Sequence, residues 1–221
     1  MTKTIIKICG ITSSDDYKFI NDQEDIDFIG MIFTEKSPRC INLQQANQIL
    51  ESCVKQKSII GVFMNQSEKY IHNVTDNINL DLLQFHGQET LEFCRSFNKP
   101  FIKTLHIKDK LLTFNYDFEI HADYLLLDTS LNNKHGGTGK KFDWDLLSKD
   151  ETISNIIQKK PCFIAGGLNI NNIGDLISQF MPYGVDVSSG LESSVGKKDH
   201  LLMKKFLENV RISEKEYYEK N

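Results

Sequence analysis

Two turns rich in glycine and serine, Ala165-Gly166-Gly167-Leu168-Asn169 and Ser188-Ser189-Gly190, each follow a short apolar run. Backbone amides in such turns are not shielded by side chains, so the two together point to a bound phosphate. The plainer reading is that the glycines serve only tight turns. Lys7 and Asp186 are isolated charges inside apolar runs. Burying either alone is costly, so they make sense as a pair pointing into a common interior, as a structural ion pair, as groups that touch a substrate, or as both. Cys9, His86 and Asp128 close, or directly follow, three other runs. A cysteine in that place is by default a small buried hydrophobe, and a histidine either lines a site or is a satisfied structural group. Arg39 lies in a loop, where its planar fork either grips a carboxylate at two points or is solvated.

Eight apolar runs must position these residues: Ile5–Cys9, Phe28–Phe33, Ile59–Met64, Leu80–Phe85, Phe101–Ile107, Tyr124–Leu127, Cys162–Ala165 and Val185–Val187. Helix-like sequence follows most of them. Ala46, Ile49, Leu50 and Cys53, and again Met203, Phe206, Leu207 and Val210, recur at i, i+3, i+4 and i+7, which lays each set along one buried stripe. Strands alternating with amphipathic helices predict βαβ units, and eight of them in 221 residues predict an α/β fold, a single (β/α)8 TIM barrel. In that architecture the site lies where the strands end. Pleat parity puts Lys7 and Cys9 on one face of the first strand and Asp186 and Ser188 on one face of the eighth, and closure of the barrel makes those strands neighbours. The domain is expected to span 1–212, with 213–221 a charged C-terminal tail that frays or extends the last helix. The fifth helix, in 108–121, is expected to be short or irregular.

Composition narrows the function. The formal charge is −4 and the basic residues are dispersed, which excludes a nucleic-acid footprint. Five cysteines without a C-x-x-C pair argue for a reducing compartment, and Cys40, Cys53, Cys94 and Cys162 read as buried hydrophobes. The six histidines show neither H-x-x-x-H nor H-x-H spacing, so no metal is expected. With no secretory h-region and no long apolar run, the expectation is a soluble cytoplasmic protein without membrane contact. Gly136-Gly137-Thr138-Gly139-Lys140 is not a P-loop, because Lys141 stands where Ser or Thr is required; it reads as a closing lid or a disordered connector.

The motifs, taken in order, resemble the phosphoribosylanthranilate isomerase family: KICGIT at 7–12, GMIFTEKSPR at 30–39, GVFMN at 61–65, LLQFHG at 82–87, DYLLLD at 123–128, GGTGKKFDW at 136–144, FIAGGLN at 163–169 and GVDVSSGLESSVGKKD at 184–199. The resemblance covers nearly the whole chain. It departs at Thr34-Glu35, at Phe85 where an aliphatic residue is common, in 108–121 and in 129–135.

The resemblance implies an Amadori rearrangement of N-(5-phosphoribosyl)anthranilate to 1-(2-carboxyphenylamino)-1-deoxyribulose 5-phosphate, a step of tryptophan biosynthesis, without metal or organic cofactor, in a monomer or homodimer. It makes Asp128 the acid that protonates the ribose ring oxygen, Cys9 the base that removes the C2 proton, and Arg39 the group that meets the anthranilate. Lys7, His86, Gly166, Gly167, Asp186, Ser188, Ser189 and Gly190 are the expected substrate contacts. An ordinary Asp is protonated only about one part in a thousand at pH 7, a penalty of about 4 kcal/mol, so the acid role requires burial or a negative neighbour. Forming the Cys9 thiolate costs only about 2 kcal/mol, and Lys7 beside it is expected to reduce that. A different phosphosugar barrel, such as indole-glycerol-phosphate synthase or an epimerase, would need another acid/base set. A binding barrel would need neither group.

Overall fold

Strand edges cannot be left open where both faces of a sheet are apolar, and the chain solves this by closing the sheet on itself. In the computed structural model, which describes residues 3–107, 115–128 and 144–220, eight parallel strands form a closed barrel in sequence order. They are β1 (Ile5–Cys9), β2 (Phe28–Ile32), β3 (Ser58–Phe63), β4 (Leu82–Phe85), β5 (Phe101–His106), β6 (Tyr124–Asp128), β7 (Cys162–Ala165) and β8 (Gly184–Val187). The crossover helices are α1 (Ser14–Asn21), α2 (Leu43–Leu50), α3 (Glu68–Asn77), α4 (Leu91–Arg95), α5 (Asp117–His121), α6 (Leu146–Lys149), α7 (Glu151–Lys159) and α8 (Ile173–Phe180). A short antiparallel hairpin, β9 (Glu192–Ser194) and β10 (Lys197–Lys198), precedes the last helix, α9 (His200–Lys220). The expected barrel is therefore present. The segment 129–143, with its glycine cluster and the question of a lid, lies outside the described residues, as does 108–114.

Helix starts are written in short polar side chains. Ser13, Ser67, Thr90 and Asp150 each accept from a backbone amide three residues on, and Asn42 forms a reciprocal capping box with Gln45. Each such cap contributes about 1 kcal/mol. At the opposite end of the barrel, carboxylates leading into one strand take the first amides of the strand before it. Asp27 accepts from Ile6 N at 2.8 Å, Asp81 from Ile59 N at 2.6 Å and Asp123 from Phe101 N at 2.8 Å. This fixes register without using any side chain at the mouth.

The period-two alternation separates two cores. Outward residues pack under the helices, whereas Cys9, Ile32, Ile60, Val62, Leu82, Ile102, Leu126, Phe163 and Ala165 fill the barrel. Phe28, Tyr124 and Phe163 plug its lower end with ring centroids 5.7–6.0 Å apart. Of the two expected outcomes for the charged stretch after Ile212, extension of the last helix is the one found. The stretch continues α9 to Lys220, and Ser213 and Glu214 are buried. Glu214 accepts from the Thr4 amide at 2.6 Å and pairs with Arg211, so its charge is satisfied at the base of β1. α5 is five residues long, short as expected.

Candidate active site

The strand ends surround a cavity of about 390 Å³. Its floor is apolar, from Ile32, Val62, Leu126 and Ala165, and its rim carries Cys9, Arg39, His86, Asp128, Asp186, Gly166, Gly167 and Ser188–Gly190. Thus all the residues expected at the site except Lys7 line one space. Lys7 lies just beneath it, fully buried, with Nζ 2.9 Å from Asp186 Oδ2 across the β1–β8 register pair. Parity and closure placed that pair as expected.

Cys9 and Lys7, two residues apart on β1, share one of its faces, and each acts electrostatically on the other. The ammonium is held above its ordinary range: burial pulls it down, but Asp186 and Cys9 outweigh that. For Cys9 the balance goes the other way. Burial pushes the thiol up, Asp186 adds to this, and Lys7 and Lys198 pull it down without reversing the direction. Lys7 thus acts in the expected direction, but the same burial that brings it close also desolvates the sulfur, and desolvation prevails. Only thiolate is alkylated. Modification of Cys9 by iodoacetamide, followed by peptide mass mapping, is accordingly expected to be slow at pH 7 and to keep rising through pH 9; a plateau by pH 8 would show an activated thiolate instead.

Asp128 ends β6 with little exposure, 7 %. His86 Nε2 stands 3.3 Å from its Oδ2 and His106 Nδ1 3.9 Å. His86 is held from behind by Thr104 Oγ1 at 3.1 Å, and Thr104 in turn accepts from Gln84 Nε2 at 3.3 Å. His86 therefore lines the mouth and is also tied into a polar network. Gln84, Thr104 and His106 were not singled out from the sequence. Extending the alternation of side chains from β1 and β8 to β4 and β5 would have found them, since 84 and 86, and 104 and 106, lie on inward positions.

Arg39 departs from the expected free fork. Its Nε and Nη2 bind the two carboxylate oxygens of Glu192 at 2.5 and 2.6 Å. Glu192 also accepts from Lys198 Nζ at 3.0 Å, and Lys198 reaches the Ser188 carbonyl at 3.0 Å. Burial pushes Glu192 up, but Arg39 and Lys198 together hold it below the usual carboxylate range. Lys198 is pulled below its ordinary value by burial despite Glu192. The hairpin that carries both was missed because its pairing to Arg39 spans 153 residues. Gly10 makes room for this arrangement: it has φ +78°, and a Cβ there would lie 2.6 Å from Arg39 Cδ.

The two glycine and serine turns meet at the rim. Gly190 packs so closely on the other turn that a Cβ would fall 1.9 Å from Leu168 O. Asn172 Oδ1 accepts from the Asn169 amide at 2.8 Å, and Asn172 Nδ2 donates to Gly167 O at 3.0 Å, which fixes the first turn against α8. Four buried polar atoms around the cavity, Thr34 Oγ1, Gln84 Oε1, Asp186 Oδ1 and Ser188 Oγ, have no hydrogen-bond partner among the described residues. Buried groups of this kind are costly unless something in the cavity satisfies them.

A closed (β/α)8 barrel with a thiol, a carboxyl and two glycine and serine turns at the strand ends defines an enzyme of the barrel class with its site in the usual place. Residues 6–209 match the model of the family described as N-(5'phosphoribosyl)anthranilate (PRA) isomerase, and the chain belongs to that family. It is similar to N-(5'-phosphoribosyl)anthranilate isomerase of Legionella pneumophila (strain Paris), 41 % identical over 93 % of this chain and 96 % of that one. Among solved structures it resembles phosphoribosyl anthranilate isomerase from Thermotoga maritima, with 32 % identity, a TM-score of 0.82, and 94 % and 98 % of the two chains covered. A further relative, 30 % identical with a TM-score of 0.73 and 94 % and 98 % of the two chains covered, is a phosphoribosyl anthranilate isomerase in complex with reduced 1-(o-carboxyphenylamino)-1-deoxyribulose 5-phosphate.

Proposed function

We propose that this chain carries out the family's isomerisation with Asp128 as general acid and Cys9 as general base. The carrying observation is that both groups, buried as they are, line one cavity together with Arg39 and the two glycine and serine turns. β7 and β8 separate their strands in the barrel, so a substrate lying across the mouth reaches both.

The Asp128 proton goes to the ribose ring oxygen as the C1–O bond breaks, and the anthranilate nitrogen supplies the electron pair that makes the Schiff base. Cys9 then takes the C2 proton, and the electrons of that C–H bond form the enolamine C1=C2 bond. Tautomerisation to the ketone follows. The form that acts is the thiolate fraction of Cys9, whose proton passes to solvent before the C2 step. Lys7, kept as ammonium by Asp186, stabilises the negative sulfur when it forms. Ser188 and the turns at Gly166–Gly167 and Ser189–Gly190 receive the phosphate, and Thr34, Gln84 and Asp186 offer the unpaired polar atoms to the sugar. Arg39, aimed by Glu192, meets the anthranilate carboxylate with its remaining Nη1 edge. The reaction belongs to the cytoplasm in this reading, and among the described residues no helix is long and apolar enough to cross a membrane.

The test is the fluorescence of phosphoribosylanthranilate on adding purified protein with chelator present. Decay well above spontaneous hydrolysis, with the keto-phosphate product identified, is expected. Tight product binding without turnover would leave a phosphate-binding barrel.

A further inference from the structure

His86 and His106 sit on adjacent parallel strands at their mouth ends and both face Asp128. Among the described residues, the three side chains bring one ligand-type atom each to within 4.8 Å of one another. The Nε2 of His106 lies 2.9 Å from the backbone carbonyl of His86. A carbonyl only accepts, so Nε2 carries the proton and, in the neutral ring, Nδ1 presents its lone pair towards Asp128. His86 is held in the same manner, with Nδ1 on Thr104 Oγ1 and Nε2 turned to Asp128 at 3.3 Å. Each imidazole thus has its far nitrogen fixed by an oxygen of the protein, the support that orients histidine ligands.

We propose that His86, His106 and Asp128 form a binding site for a divalent transition-metal ion of the zinc class. Bond lengths of about 2.0–2.1 Å in a tetrahedral site put ligand atoms about 3.3–3.4 Å apart. The His86–Asp128 edge already has that spacing, at 3.3 Å. The His106–Asp128 edge is 3.9 Å, and the His106 side chain, 42 % exposed, would have to move by about 0.5 Å to match that spacing. Two imidazoles and one carboxylate leave a fourth position open to the cavity, for water or substrate. Hard ions such as magnesium are not expected, because they favour oxygen donors. Occupation takes the Asp128 oxygen out of proton transfer, and this inhibitory consequence rests on the acid role proposed above, whereas binding does not.

The test uses the full chain with Zn2+ and Co2+. Isothermal titration with Zn2+ is expected to give one equivalent, with the dissociation constant raised at least about tenfold in His106→Asn. Asp128→Asn is expected to weaken binding similarly, which keeps the test sound if His106→Asn fails to fold. The Co2+ complex is expected to show the comparatively intense visible d–d bands of a four-coordinate ion, without the near-ultraviolet thiolate charge transfer of a cysteine site. Absence of binding, binding unchanged in both variants, or a thiolate band overturns the proposal. Binding with full turnover retained upholds the site and removes Asp128 from the acid role.

Discussion

Asp128→Asn is expected to lower kcat by about 10²–10⁴, the range that a positioned general acid contributes. The amide is nearly isosteric, so the cavity keeps its shape, and the residue's place at the end of β6, in register with His106 on β5 and Ala165 on β7, is set by the barrel and not by its own charge. Product binding, measured by calorimetry, is therefore expected to change little. The loss belongs in kcat and not in KM, since the proton is needed only as the ring opens. Near-normal kcat in Asp128→Asn would move the acid to another group, with His86 the nearest candidate at 3.3 Å.

The second large effect is expected from Cys9→Ser. Cys9 is 6 % exposed and lies under the electrostatic influence of the buried Lys7 ammonium, so the side chain has little room and a specific electrostatic partner. A hydroxyl in its place is of similar shape and a far weaker acid, so almost none of it is available as alkoxide at neutral pH; a loss in kcat of about 10²–10⁴ is expected. Sign matters for the wild type. Because burial raises the Cys9 thiol, the base is mostly protonated at pH 7, and turnover limited by C2 deprotonation should climb as pH rises through 9. Deuterium at C2 of the substrate should slow the wild type under those conditions. Unchanged turnover in the serine variant, or no isotope effect at any pH in that range, would place the base elsewhere or another step in control.

How far the sequence can be read depended on the range of the interactions involved. Parallel strands buried on both faces appear as continuous apolar runs, and seven of the eight were bounded within a residue. The exception, β4, begins at Leu82 because Asp81 turns aside to take the Ile59 amide, so that Leu80, although buried, precedes the strand. Lys7 with Asp186 was legible because two rare charges in apolar runs have few ways to be satisfied. Arg39 with Glu192 was not, since each is an ordinary surface residue in isolation and only the fold of the β9–β10 hairpin brings them together. Glu214 was not legible for the same reason: its partners, the Thr4 amide and Arg211, lie on another element or one turn back, and no local pattern marks it as buried. The histidine pair at Asp128 escaped a search for metal spacing because that search assumes ligands on one element. Here they are 20 residues apart in sequence and adjacent only across a barrel register.

The ion pairs at the mouth have a consequence for how a ligand arrives. Lys7 is cancelled by Asp186, and Glu192 neutralises much of Arg39 and Lys198, on a chain whose formal charge is already −4. Among the described residues, these pairs therefore offer a substrate bearing both a phosphate and a carboxylate little attraction at a distance. Its association rate is expected to vary only weakly with ionic strength, a dependence that stopped-flow binding of the product at graded salt would measure. Such an entrance has little bias toward other polyanions, and discrimination falls to the directional donors inside.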